Sequence, residues 1–204
     1  MNLVVKNLCK SYNKQKVIQG LSFLCESSIL GIAGANGAGK STLMQILAGL
    51  LSADSGTVHW HLNGNTCTPS EIKKNLGYAA PYVQLYDELT VSENIDFLAE
   101  LHTMPDADKS YILSLLNRFD AERLYEKPYG ELSTGQQQRV KLAASIVHKP
   151  SVICLDEPGS NLDKKGVQLI ENFVKDISDS GTMVVIASNN AGELDLCEQI
   201  IELK

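Results

Sequence analysis

Short runs that are apolar at every position recur along this chain at Ile29–Ala33, Val152–Leu155 and Met183–Ala187. Each is followed by a turn and a segment with helical spacing. Continuous rather than alternating hydrophobicity over so few residues predicts strands covered on both faces of a parallel sheet. Ile200-Ile201-Glu202-Leu203 reads as a closing strand, which leaves no length for a regulatory tail. Residues 3 to 26 alternate instead, with a turn at Asn13-Lys14, and 56 to 64 read as a further strand ending at Asn63-Gly64, a hairpin-type pair. These segments predict a small antiparallel layer. From about 90 to 150 the period becomes helical: Thr90 and Glu93 have capping-box spacing, and Tyr111, Ile112, Leu115, Leu116 and Phe119 fall on one apolar stripe. The expectation is one α/β domain over 1–204, with 1–89 and 151–204 forming the core sheet and β layer and 90–150 an inserted helical lobe.

Composition narrows the class. With 204 residues, 44% hydrophobic and 21% charged, the chain suits one well-buried domain and carries no signature of disorder. A net charge of -6 argues against nucleic acid and against direct adsorption to anionic lipid. No apolar run approaches the roughly 20 residues a bilayer-crossing helix needs, and Met1-Asn2-Leu3-Val4-Val5 lacks the layout of a secretory signal. A cytoplasmic location follows, with any membrane attachment made through a protein partner. The five cysteines are scattered without a Cys-x-x-Cys pair, so buried free thiols are expected. His59-Trp60-His61 invites a metal reading, but on a strand both histidines share the face away from Trp60 and no third ligand is near; they are expected at the surface. His102 and His148 read as isolated.

The chemistry is concentrated at three places. Gly34-Ala35-Asn36-Gly37-Ala38-Gly39-Lys40-Ser41 satisfies G-x-x-x-x-G-K-[ST] between a buried strand and a helix, the context the motif requires. Its backbone amides, with Thr42 beyond them, would cradle phosphate at the positive end of the helix. Lys40 would reach the β- and γ-phosphates and the Ser41 hydroxyl would serve Mg²⁺. The motif alone is shared by kinases, GTPases and motors. The second place is Asp156-Glu157, two carboxylates at the carboxyl end of a buried strand, where ligands of α/β sheets collect. An aspartate there can hold Mg²⁺ and a glutamate can polarise water. The third is Leu132-Ser133-Thr134-Gly135-Gln136, where Ser133 and Gln136 again have capping-box spacing. On spacing alone, an ordinary capped helix and an anion-binding helix start fit it equally.

In that order and spacing the three runs resemble the ATP-binding subunits of ABC transporters, whose defining element is a Leu-Ser-Gly-Gly-Gln run. The resemblance covers nearly the whole chain and looks closest to small bacterial exporter subunits, including the haem-exporter type. It implies a P-loop NTPase core with the ABC arrangement of parallel sheet, β layer and helical lobe, with ATP and Mg²⁺ as cofactors. It also implies roles: Asp156 beside Mg²⁺, Glu157 as catalytic base, Tyr12 stacking on adenine, and Asp163 in a dimer-facing segment with Ser160, Asn161 and Leu162. Ser133, Gly135 and Gln136 would contact the γ-phosphate held by the other subunit of a homodimer or heterodimer. The partners implied are membrane-spanning subunits on separate chains, docking at Pro81 to Thr90, with the protein peripheral on the inner face of the membrane. A DNA- or ribosome-associated ABC ATPase lacks its usual insertions here, and a small-molecule kinase leaves 132 to 139 unexplained.

Three positions depart from the family pattern. Thr134 replaces the second glycine of the signature. Pro81 stands where the family has a Mg²⁺-contacting glutamine, with Gln84 as a substitute if the loop bends differently. Asn189 occupies the switch position, where the family has a histidine, and cannot carry a positive charge at neutral pH. Slow hydrolysis, or hydrolysis dependent on a partner, is the expectation.

Overall fold

The computed structural model describes residues 1–13, 15–62, 64–102, 104 and 108–203. Lys14 and Asn63, members of the two expected turn pairs, lie outside the described residues. The amino-terminal part runs β1 (Asn2–Tyr12), β2 (Gln15–Cys25), β3 (Ile29–Ala33), α1 (Lys40–Leu47), β4 (Ser55–Leu62), β5 (Asn65–Cys67), α2 (Pro69–Ile72) and β6 (Leu76–Ala79). Then come α3 (Val91–Leu101), α4 (Lys109–Asn117), α5 (Thr134–Ser145), β7 (Val152–Asp156), α6 (Lys164–Asp179), β8 (Met183–Ser188), α7 (Ala191–Leu194) and β9 (Gln199–Glu202).

The strands form an antiparallel sheet in the order β2-β1-β4-β5 and a parallel sheet in the order β6-β7-β8-β3-β9. The chain is thus α/β with a mainly parallel core and a small antiparallel layer. Alternate residues of the parallel strands enter different cores. Ile29, Ile153, Leu155, Val184 and Ile186 pack with Val91, Ile95, Ile112, Leu116, Val140 and Phe173 from α3 to α6. Leu30, Ile32, Val152, Cys154 and Val185 pack with Leu43, Met44 and Leu47 of α1 and with Leu3, Val5, Leu8 and Trp60 of the antiparallel sheet. Burial on both faces is why these strands read as unbroken apolar runs. The fully buried Trp60 donates its ring N–H to Leu47 O at 3.0 Å, tying β4 to α1.

Local signals correspond to observed element starts. Thr90 and Ser133 open α3 and α5 with complete capping boxes, and Asp108 and Asp163 cap α4 and α6. Leu76–Ala79 is a strand: a Cβ on Gly77 would collide with Ser145 O, so only glycine lets β6 pass so close to the end of α5. His102 and His148 are not isolated; their rings stack with centroids 3.7 Å apart and planes at 10°. His59 and His61 are partly exposed on either side of buried Trp60, as expected. All five cysteines are free, but only Cys25 and Cys154 are buried; Cys9, Cys67 and Cys197 keep partial exposure, a correction to the buried-thiol expectation.

Candidate nucleotide-binding site

The turn between β3 and α1 forms the floor of a cleft of about 410 Å³, lined by Tyr12, Val17, Asn36, Gly37, Gly39, Lys40, Ser41, Thr42 and Glu157. Gly39 is the N-cap of α1 at φ 98°, a left-handed backbone that side chains resist, and a Cβ there would meet Val17 Cγ1 at 2.7 Å. No side chain caps α1, so the first amides of the helix are open to an anion. Lys40 is 6% exposed; its Nζ donates to Gly34 O at 2.9 Å and Ala35 O at 3.3 Å and sits 3.3 Å from Glu157 Oε1. Ala38 N–H closes the turn onto Ala35 O at 3.1 Å. At the cleft's edge Tyr12 ends β1 with 45% exposure, with Lys10 Nζ 5.5 Å from the centroid of its ring.

Asp156 is the last residue of β7 and is 1% exposed. The Ser41 and Tyr82 hydroxyls lie beside it, yet neither carboxylate oxygen has a hydrogen-bond partner among the described residues. Burial pushes its carboxyl above the usual range, with the Ser41 hydroxyl opposing and the Glu157 charge adding to the rise. Two unpartnered hard oxygens next to a serine hydroxyl fit Mg²⁺, which takes oxygen ligands. Glu157 follows at φ 47°, uncommon for a residue with a side chain, held by its N–H donating to Ala187 O at 2.8 Å. That left-handed turn swings its carboxylate into the phosphate-loop cleft, and Ser188 Oγ reaches Glu157 Oε2 at 3.5 Å.

Asn189 lies at the same cleft: its Nδ2 donates to Asn36 Oδ1 in the phosphate loop at 2.8 Å. Gln84 does not. Its Nε2 donates to Pro81 O at 3.2 Å, and its side chain lines a different, mostly apolar cleft with Leu85, Lys141 and His148. In this loop conformation Gln84 is turned onto Pro81, so the alternative in which a differently bent loop lets it substitute for the missing glutamine gains no support.

Ser133, Thr134, Gly135 and Gln136 line a separate polar cleft of about 750 Å³ with Asp120, Arg123, Arg139, Asn161, Asp163 and Lys165. Ser133 N–H donates to Gln136 Oε1 at 3.0 Å, completing the cap. Gly135 comes so close to the next loop that a Cβ would lie 3.2 Å from Asn161 O. Thr134 is exposed at the first position of α5. Asp163 accepts from Gly166 N–H at 2.8 Å and pairs with Arg139 at 3.3 Å, while Arg139 and Lys165 both pair with Asp120. No residue lines both this cleft and the phosphate-loop cleft.

The family profile described as "ABC transporter" matches residues 18–160, spanning the phosphate loop, the 132 to 139 run and Asp156-Glu157. The chain belongs to the ABC transporter ATP-binding family. It is 31% identical over 99% of its length to an uncharacterised ABC transporter ATP-binding protein, YhaQ of Bacillus subtilis, covering 68% of that protein. It is 30% identical over 95% of its length to the lantibiotic transport ATP-binding protein SrtF of Streptococcus pyogenes, covering 82%. Among solved structures, the dimeric post-hydrolysis state of the ATP-binding cassette MJ0796 bound to ADP and Pi aligns with a TM-score of 0.85 and 25% identity, covering 99% of this chain and 94% of that one.

Within this ABC cassette, sequence reasoning missed Tyr82 beside Asp156, the Arg139-Asp120-Asp163 cluster, and Glu193. Glu193 is 4% exposed and accepts from Gly159 N–H at 2.9 Å, bracing the loop after Glu157. Arg139 had a signal, since it lies one helical turn beyond Gly135 on α5. Tyr82 and Glu193 had none, because what they meet lies 74 and 34 residues away.

Proposed function

We propose that this chain is the ATP-binding and ATP-hydrolysing subunit of a transporter, acting as a dimer on membrane-spanning partners. What carries the dimer is the separation of the two clefts. Ser133, Gly135 and Gln136 line a cleft that shares no residue with the phosphate-loop cleft, which supports the α5 start serving the nucleotide of a second subunit. The dimeric cassette MJ0796 with ADP and Pi supports the same assembly and the same chemistry.

Residues 34 to 42 hold the phosphates through backbone amides, with the Lys40 ammonium against the β- and γ-oxygens. Ser41 and Asp156 would hold Mg²⁺, which when bound neutralises charge building on the phosphates. Glu157, fixed by its left-handed backbone, orients and deprotonates the attacking water. Tyr12 stacks on adenine, and Asp163 faces the partner subunit. Asn189 bonds at the loop without contributing a charge, and turnover is correspondingly lowered. The family relation to SrtF, named for lantibiotic transport, supports a transport role. The described residues contain no helix long and apolar enough to cross a membrane, so the membrane path is assigned to separate chains. Exposed Tyr82 and Tyr86, at 48% and 55%, support the 81 to 90 segment as the docking surface for the membrane partners, with the protein peripheral on the inner face of the membrane.

Glu157→Gln tests the reading. ATP should convert the variant from monomer to dimer in light scattering while phosphate release falls about 100-fold or more. A variant that stays monomeric at millimolar ATP, together with a wild type that releases no phosphate, refutes it.

A further inference from the structure

The segment after β6 reads Ala80-Pro81-Tyr82-Val83-Gln84. Pro81 brings no side-chain donor or acceptor. Its carbonyl accepts from Gln84 Nε2 at 3.2 Å and from Lys141 Nζ at 3.4 Å, so the Gln84 amide is engaged away from the phosphate loop. Tyr82 runs the opposite way. Its ring lies 6.4 Å from that of Tyr78, the two hydroxyls are hydrogen-bonded, and the Tyr82 hydroxyl lies beside Gln45 of α1 and Asp156 of β7. Tyr78 is itself anchored on β6, in register with Cys154 two residues before Asp156. The target of this chain of hydroxyls is a carboxylate 1% exposed with both oxygens unpartnered. A buried charge in that condition requires a donor, a cation or both. A phenol O–H supplies the first and, through water, leaves room for the second.

We propose that Tyr82 is a positioning residue of the metal site, its hydroxyl orienting the Asp156 carboxylate that would hold the cation. This rests on the reading of Ser41 and Asp156 as the Mg²⁺ holders. Tyr78 steadies the Tyr82 hydroxyl, and Gln84 takes no part.

Binding of ADP, which cannot be turned over, separates these roles when measured calorimetrically in Mg²⁺ and again in EDTA. Wild type should bind ADP more tightly with Mg²⁺. Tyr82→Phe should lose about tenfold of that gain, as expected for removing an outer hydrogen-bond partner of a metal ligand, with its affinity in EDTA unchanged. Tyr78→Phe should lose less, and Gln84→Ala nothing. A Tyr82→Phe protein that keeps the full Mg²⁺ gain, or that loses affinity equally with and without the metal, overturns the proposal, as does loss of the gain in Gln84→Ala. A wild type with no Mg²⁺ gain overturns the metal-site reading and this proposal together.

Discussion

Asp156→Asn should make the metal-free protein more stable and the Mg²⁺-nucleotide complex less so. Asp156 is 1% exposed, and neither of its oxygens has a hydrogen-bond partner among the described residues. Leaving a buried acceptor unmet costs about 1–3 kcal/mol, more when it is charged. Lys40 attracts the carboxylate and offsets part of this. An asparagine of the same shape removes the charge but keeps an amide with little to bond, so the net gain is about 1–2 kcal/mol. For a chain this long, that raises the midpoint of thermal unfolding by about 2–8 °C. With Mg²⁺ and ADP the order reverses. Ligand at 100 times its Kd stabilises the wild type by about 2.7 kcal/mol, and a 100-fold weaker variant gains only about 0.4 kcal/mol at the same concentration. Calorimetric scans of both proteins in EDTA and in Mg²⁺-ADP check this directly. An asparagine variant that melts below wild type in EDTA would show that Asp156 is already well satisfied in the folded protein.

Asn189→His should raise steady-state ATP turnover at least tenfold, since a lost charge-stabilising contact in a transition state commonly costs about 10²- to 10³-fold; equal rates by phosphate release would refute the proposal that Asn189 slows hydrolysis. Tyr129 is fully buried, its hydroxyl has no partner among the described residues, and burial pushes its phenol up to about 12. Tyr129→Phe should therefore stabilise the protein by about 1 kcal/mol in urea titration, and a lowered midpoint counts against it. His148 is pushed down to about 4 by burial first and by the stacked His102 second, in a cleft it shares with Lys73 and Lys141. The unfolded chain then takes up a proton near pH 6.5 that the folded one refuses, so this contribution is intact above about 6.5 and is lost as pH falls towards 4. His148→Leu should flatten that acid loss by about 2 kcal/mol relative to wild type, allowing for the partial exposure of the ring, and parallel stability-pH curves would refute the assignment.

What the sequence by itself determined lies within a few residues along the chain. The capping boxes of α3 and α5 and the glycine-rich turn before α1 depend on contacts three or four positions apart, which spacing displays. The buried strands were legible because two-sided burial leaves no polar position to interrupt the run. Tertiary structure decided what depends on distant pairings. It set the strand order, made a strand of Leu76–Ala79 because Gly77 passes the end of α5, and brought His102 onto His148 across 46 residues. It also turned Gln84 onto Pro81 while aiming Tyr82 at Asp156, a choice no local rule settles, since both side chains sit in one short irregular segment. Finally, it held the 132 to 139 run in a cleft apart from the phosphate loop. Motif spacing names the halves of a site, but only the packing of α5 against the sheet sets those halves in two separate clefts.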